Sequence, residues 1–506
     1  MKIKAKILKF ICGLFLIQVT FSGCSKQLDI VSGEVSSETL QWTSISDTKS
    51  SLIGMYALLR ASMLENNSHW MYGELRSGDF ISYNRQDLKA INEGNLKAAH
   101  PLIKDLTNWR RFYAVINAAS VFIERAPEVM SKDSRYTEVN LKLDIAQAKA
   151  IRAFTYFYMV RIWGDVPLLS KSFDDGVFEH RPRTAAQTVL NFAESEILSV
   201  IEDLPYSYGI APTSYYGENS GYWRSVLFNK LTGYSILAHI SAWQGKYINV
   251  DTYTKFIIDN YASGLLTYIT SIGNLSGLSG VFSNNYAAGQ LFSIPSPYIY
   301  GEASATGHIE ELTLAYPIIA KQKPDIYVPK DTIVEVFNDI NDTRFGIDTV
   351  SGLTRTNYFT NYSGEIPLFS KIKILRDGES NGAYAVYGSN LIFTRLEEIA
   401  LLRAEALAVL GVKDEAISLL NRIKANRKVQ GYSVVSTTPL IDEIFNERRR
   451  ELMGEGWRWY DQVRHNRLKA VSTELVDLIA KDGIYWPISN DVLRKNKELE
   501  QNNYWK

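Results

Sequence analysis

The chain has 506 residues, 46% of them hydrophobic, and 55 Lys plus Arg face 55 Asp plus Glu. That length can bury a large core, and the composition is that of an ordinary globular protein rather than a disordered or fibrous one. The even charge balance gives no support to nucleic-acid binding, which leaves a basic excess.

The first residues read as an export signal. Lys2, Lys4, Lys6 and Lys9 form a basic start, residues 7–19 an apolar core too short for a comfortable membrane span, and Phe21-Ser22-Gly23-Cys24 places small residues before a cysteine. This resembles a lipoprotein signal, with residues 1–23 removed and Cys24 lipidated. The only other cysteine, Cys12, lies in the removed part, so no disulfide is expected. Losing four Lys and no acid moves the balance from zero to −4. An acylated cysteine predicts a membrane-tethered, exported protein.

Helical periodicity then sets in. Leu52, Met55, Tyr56, Leu59 and Met63 predict a helix over 47–63. Residues 64–86 are rich in Asn, Ser, Gly and Tyr and read as an irregular binding loop carrying Trp70, Tyr72, Asp79 and Tyr83. Further helices are predicted over 108–125, 137–163, 184–204, 222–243 and 251–261. In the second of these, Ala146, Ala150, Ala153 and Phe157 form a stripe of mostly small residues that admits a close neighbour. Gly164-Asp165 and Pro167 end it.

Between 263 and 389 the periodicity fades, and short β-prone runs such as 290–294 and 368–375 appear among Gly, Ser, Asn and Pro. A long irregular stretch inside a compact protein is usually functional. Helices return at Leu391, with a turn at Gly411; Ala404, Leu407 and Ala408 before it and Ala416, Leu419 and Leu420 after it resemble a tetratricopeptide (TPR) hairpin. The 137–163 and 184–204 helices read as an earlier, looser hairpin, and the uneven spacing argues against a regular solenoid.

The stretch ERRRELMGEGWRWYD, 447–461, is dense in charge and aromatic residues. Glu447 and Arg450, Arg448 and Glu451, and Arg458 and Asp461 are three apart and can meet on a helix face. Its apolar residues demand a partner helix, so it reads as an ion-paired seam inside the helical layer rather than a ligand surface.

Catalytic motifs are missing. The six histidines are scattered, with no HExxH pair, and neither a GxSxG elbow nor a GxxxxGK[ST] loop occurs. The reading is therefore not an enzyme. Asp339-Ile340-Asn341-Asp342 has the residue types of a calcium loop but reads as a surface turn; structural calcium is not predicted, and no metal or cofactor is expected.

Several pieces together resemble the SusD/RagB family of outer-membrane nutrient-binding lipoproteins: the signal with Leu28-Asp29 after Cys24, RAFTYFYMVRIWGDVPLL at 152–169, the 395–423 hairpin, NERRRELMGEGWRWYDQVRH, and Trp486-Pro487-Ile488 with Gln501-Asn502 near the end. Gly454 and Trp457 depart from the usual occupants of the signature. The resemblance implies a mainly α, TPR-containing helical SusD-like fold with long loop-rich insertions carrying short β-hairpins. It implies a single domain over 24–506, with helical layers at about 47–262 and 391–470 and an insertion at about 263–390. It further implies a lipid-anchored protein facing the cell exterior, which captures oligosaccharides and passes them to a SusC-like TonB-dependent transporter. Peptide capture by the same architecture, as in RagB-type lipoproteins, is the alternative; a helical surface glycosidase is a more distant one.

Sugars present apolar C–H faces and polar rims, which suit aromatic platforms flanked by polar groups. The candidate ligand-binding residues are therefore the loop aromatics Trp70, Tyr72, Tyr286, Tyr298 and Tyr300, with Asp79, Asn84 and Arg85 as polar partners.

Overall fold

The structure is a computed structural model that describes residues 41–173, 180–208, 215–218, 223–296, 302–347, 354–377 and 385–506. The signal segment, Cys24, Tyr298 and Tyr300 lie outside the described residues, and so does the side chain of Tyr286.

The long helices are α1 (Ile45–Leu64), α2 (Arg110–Val129), α3 (Glu138–Trp163), α4 (Ala186–Leu198), α5 (Lys230–Gln244), α6 (Tyr247–Asn260), α7 (Leu396–Val409), α8 (Lys413–Asn426), α9 (Leu440–Leu452) and α10 (Arg458–Lys469). Most pack chiefly on their chain neighbours, α1 on α2, α2 on α3 and α3 on α4, and then α5 on α6 and α7 on α8, while α9 packs chiefly on α7. Contacts between α6 and α7 join the early helices to the late ones. Between α5 and α6 and between α7 and α8 the connections are only a few residues long, so consecutive helices pack as a hairpin and local sequence signals carry far there.

Helix α3 is the central strut. Thr137 caps it in a reciprocal box with Asn140, and from Ala146 to Trp163 every side chain but Lys149 is buried. The small stripe Ala146, Ala150 and Ala153 is inaccessible, as a helix flanked by neighbours requires. Gly164 then takes φ +71°, a conformation glycine adopts without the penalty a Cβ brings, and a Cβ there would press on the Tyr485 ring. Asp165 Oδ1 accepts from the Ala186 amide at 2.7 Å, so the turn that ends α3 also starts α4.

Three predicted elements come out differently. Leu391–Thr394 is a strand, not the first turn of a helix; Arg395 takes an extended conformation and α7 begins only at Leu396. Four consecutive buried residues fit either structure in sequence, and pairing with Phe292–Ile294 decides for the strand. Helix α4 stops at Leu198, six residues short of the predicted end, with Val200, Ile201 and Leu204 still buried in the turns that follow. Helix α5 starts at Lys230 because Asn229 caps it, its side chain accepting from the Thr232 amide at 2.8 Å.

The strands are short and pair in twos: β1 (Ile81–Ser82) with β3 (Ile326–Tyr327), β2 (Phe292–Ile294) with β10 (Leu391–Thr394), β4 (Gly346–Ile347) with β5 (Thr354–Arg355), β6 (Phe359–Thr360) with β7 (Leu368–Phe369), and β8 (Leu375–Asp377) with β9 (Val386–Tyr387), all antiparallel. The predicted 368–375 run is thus two separate strands, β7 and the start of β8. Such small ribbons are marginal alone and persist here by packing: β2, β10, β3, β6 and β7 place residues in one apolar cluster running from Trp42 to Trp505, and β8 and β9 pack in a smaller one with Leu314, Ile319 and Ala385. The architecture is mainly helical with loop-rich insertions and short hairpins, as expected.

Candidate functional site

The charged stretch 447–461 lies in the interior. Glu451 is fully buried and receives three guanidiniums: Arg427 at 2.7 and 2.9 Å, Arg395 at 2.8 Å and Arg344 at 3.1 Å. Burial opposes its charge, and these arginines outweigh burial, holding the carboxyl well below its ordinary range. Glu455 is held by Arg395 and by Lys371 Nζ at 2.6 Å, and Arg448 bridges Asp461 and Glu398. Of the three pairs expected on local helix faces, only Glu447–Arg450 forms, at 2.9 Å. Arg448 and Glu451 turn to distant partners, and Arg458 turns to Asp79 at 3.1 Å. Buried carboxylates gain more from several converging cations than from one neighbour on the same helix.

This interior claims three of the predicted ligand residues, and the expected loop at 64–86 is not a loose one. Residues Ser68–Gly73 form a buried helical turn. Trp70 is 4% exposed and donates Nε1–H to Gly454 O at 3.0 Å; Tyr72 is 3% exposed and donates to Leu106 O at 2.6 Å. Tyr72 also meets Trp163 and Trp486 edge-on. Asp79 accepts from Arg449 at 2.7 Å and is buried. Trp70, Tyr72 and Asp79 are therefore core residues here rather than ligand contacts. Their polar atoms are satisfied by the protein, and no face is left for a ligand. Polar neighbours suggested a loop; the backbone of Gly73 instead lies so close to Gly456 O that any Cβ would collide with it.

The tip of the same segment does reach solvent. Strand β1 pairs Ile81 with Tyr327, and the Tyr83 amide donates to Asp325 O at 2.8 Å. The rings of Tyr83 and Tyr327, both half-buried, stand edge-on with centroids 6.4 Å apart. Lys323 Nζ lies 5.8 Å from the Tyr83 ring centre. Asn84 is exposed beside them. Arg85 binds Asp87 through two bonds of 2.7 and 3.1 Å and reaches Asp325 at 3.5 Å. Burial works against the Arg85 charge, but the carboxylates prevail and hold its pKa above the ordinary arginine value. Lys321 Nζ closes on Asp325 at 2.9 Å. The result is a patch of two aromatic edges with a braced guanidinium, two carboxylates and two ammonium groups.

The other end of the 316–327 segment borders an open cavity of about 530 Å³, lined by Pro317, Ile318, Leu278, Asn357, Lys373 and Leu375. Leu278 is more than half exposed there, and desolvation lowers the pKa of Lys373. Apolar surface, an amide and a cation thus converge on a cavity of ligand size.

Of the predicted site residues, Asn84 and Arg85 fall together in the patch. Tyr83 belongs to the expected binding loop but not to the candidate ligand residues, and Asp325 and Tyr327 belong to neither. The run Tyr83-Asn84-Arg85 could have flagged the first; nothing local marks Asp325 and Tyr327, which arrive by strand pairing across more than two hundred residues.

Asp339 accepts from the Asn341 and Gln430 amides at 2.8 and 3.0 Å, and Asp342 from Arg344, the arrangement of a turn. Among the described residues no group of three or more His, Cys, Asp or Glu is placed to hold a metal, and no helix is long and apolar enough to cross a membrane.

The chain is thus a mainly helical protein whose charged signature is interior and whose open aromatic and polar surface lies on its irregular segments. The SusD family model matches residues 344–505. SusD-like protein P38 of Formosa agariphila is 25% identical over 538 residues, spanning 96% of this chain and 97% of that one. A SusD superfamily protein from Bacteroides thetaiotaomicron is 48% identical, with a TM-score of 0.85 over 92% of this chain and 100% of that one. A protein from Bacteroides vulgatus described as a candidate sugar-binding protein shares the fold, with a TM-score of 0.70 at 17% identity over 91% of this chain and 98% of that one. This chain belongs to the SusD family.

Proposed function

We propose that this protein is a nutrient-binding lipoprotein of the outer membrane that captures oligosaccharides outside the cell and delivers them to a SusC-like TonB-dependent transporter. In this reading residues 24–506 act as one unit, anchored through lipidated Cys24, with no chemistry performed on the ligand. The observation that carries it is the Tyr83–Tyr327 pair with Arg85, Asp87 and Asp325 around it. Aromatic edges offer contact to sugar C–H groups, and braced charged groups offer directional hydrogen bonds to hydroxyls without a large ordering cost. Family membership and the sugar-binding description of the Bacteroides vulgatus neighbour support the same reading. The TPR-like hairpin of α7 and α8 is the expected face toward the transporter.

The test is a screen of residues 24–506, with Cys24→Ser, against glycan and peptide arrays. Glycan binding that Tyr83→Ala and Tyr327→Ala each weaken at least tenfold is the expected result. Binding of peptides alone would replace the glycan reading with peptide capture, and release of reducing sugar would overturn the non-enzymatic one.

A further inference from the structure

Sharing no residue with that patch, a pocket of about 250 Å³ lies where the start of α2 meets the turn after α3 and the helix Asn490–Lys495. Its wall is apolar: Tyr113, Pro167, Leu169, Val492 and Leu499 line it. Tyr113 donates its hydroxyl to Pro167 O at 2.7 Å and meets Trp109 edge-on at 5.7 Å, so the ring is braced from two sides. Arg110 and Lys495 are exposed lining residues, and neither forms an ion pair among the described residues. Asp491, the one carboxylate among the lining residues, is held by Lys104 at 2.9 Å. Lys495 also acts on that carboxylate, but Arg110, Arg181 and Lys495 outnumber it among the lining residues, so the rim carries an excess of positive charge around an apolar wall.

We infer that this pocket is a second binding site, separate from the Tyr83 patch, for a single ring that carries a carboxylate. Its volume falls below the ~300–1,000 Å³ of drug-sized sites, so it admits one ring and not a chain of them. The apolar wall takes the ring's face, and the two cations take the carboxylate; charge complementarity at a partly desolvated rim sets the preference for an acid over its neutral counterpart. A uronate unit of a glycan and a small aromatic acid share this chemistry.

Calorimetric titration of residues 24–506 (Cys24→Ser) with sodium glucuronate, glucose and sodium benzoate tests the assignment. Glucuronate, benzoate or both should bind, with glucose at least tenfold weaker than glucuronate. The R110Q/K495Q double variant, altered only at exposed side chains, should lose at least tenfold in affinity for the acid while its circular dichroism is unchanged. Arg85→Ala should leave this binding intact even where it abolishes glycan capture at the other site, which keeps the two readings distinguishable. Glucuronate binding without benzoate identifies a sugar acid, and the reverse an aromatic one. Equal binding of glucose and glucuronate, no binding of either acid, or acid binding indifferent to R110Q/K495Q would overturn the site.

Discussion

Arg448 donates Nε–H to Asp461 Oδ2 at 2.9 Å, tying α9 to α10 across the turn between them, with both side chains out of reach of water. Its second nitrogen reaches Glu398 on α7 at 3.0 Å, so one guanidinium joins three helices. Removing it takes a guanidinium from two buried carboxylates, leaving Asp461 with Arg464 and Glu398 with Thr394 and His239 in a low-dielectric interior. Arg448→Ala should cost about 3–5 kcal/mol, measured as a loss in urea-unfolding free energy. An effect below about 1 kcal/mol would mean that the pair is solvated in solution.

Trp70 was expected in a binding loop and lies in the core. Trp70→Ala leaves a cavity and an orphaned Gly454 carbonyl, and should cost about 3–5 kcal/mol. Arg85→Ala removes a half-exposed ion pair instead and should change stability by no more than about 1 kcal/mol while weakening ligand capture. Thermal melts and binding titrations on both variants separate the roles; comparable melting temperatures would contradict the burial of Trp70.

Two glycines make opposite predictions. A Cβ on Gly73 would collide with the Gly456 carbonyl, a backbone atom that cannot step aside, whereas one on Gly54, inside α1, meets nothing within 4 Å. Gly73→Ala should destabilise by about 1–3 kcal/mol or more. Gly54→Ala should be neutral or stabilise by up to about 1 kcal/mol, because alanine loses less conformational freedom in a helix. Denaturation midpoints of the pair check both signs.

Glu310 gives a pH signature. Burial pushes its carboxyl up to about 7, against hydrogen bonds from Ser389 Oγ and the Ile374 amide that pull it down. Between the ordinary glutamate value of 4.5 and about 7, the unfolded chain has released this proton and the folded chain keeps it. The unfolded state then binds fewer protons, so this contribution to stability is present below the lower value and is lost as pH rises to the higher. At ~1.4 kcal/mol per unit, the loss is on the order of 3 kcal/mol. Glu310→Gln should flatten the stability profile between pH 4.5 and 7 relative to the parent; an unchanged slope would show that the group is ionised when folded.

How far the sequence reached follows from the range of each interaction. Caps, apolar spacing and turn residues act within a few positions, so α1, α2, α3, α6, α8 and the stop at Gly164 were legible, and the motif order from the signal to Trp486 identified the family. The reading of 447–461 as an internal lock followed from the same local pattern, since guanidiniums and tryptophans crowded into one short stretch must find partners indoors; that the stretch breaks into α9 and α10 between Leu452 and Arg458 was not legible. Which partners they find was not legible. Glu451 is met by arginines at 344, 395 and 427, each from a different element, and only folding brings those together. The same limit governs the candidate site. Asn84 and Arg85 could be picked out, but Tyr327 and Asp325 join them through β-pairing, while Trp70 and Tyr72 are drawn inward by a backbone contact between two glycines. Local composition told that the 64–86 segment is polar and aromatic; tertiary packing decided that its first half is core and only its tip meets solvent, because burial depends on what lies across from a side chain, not beside it.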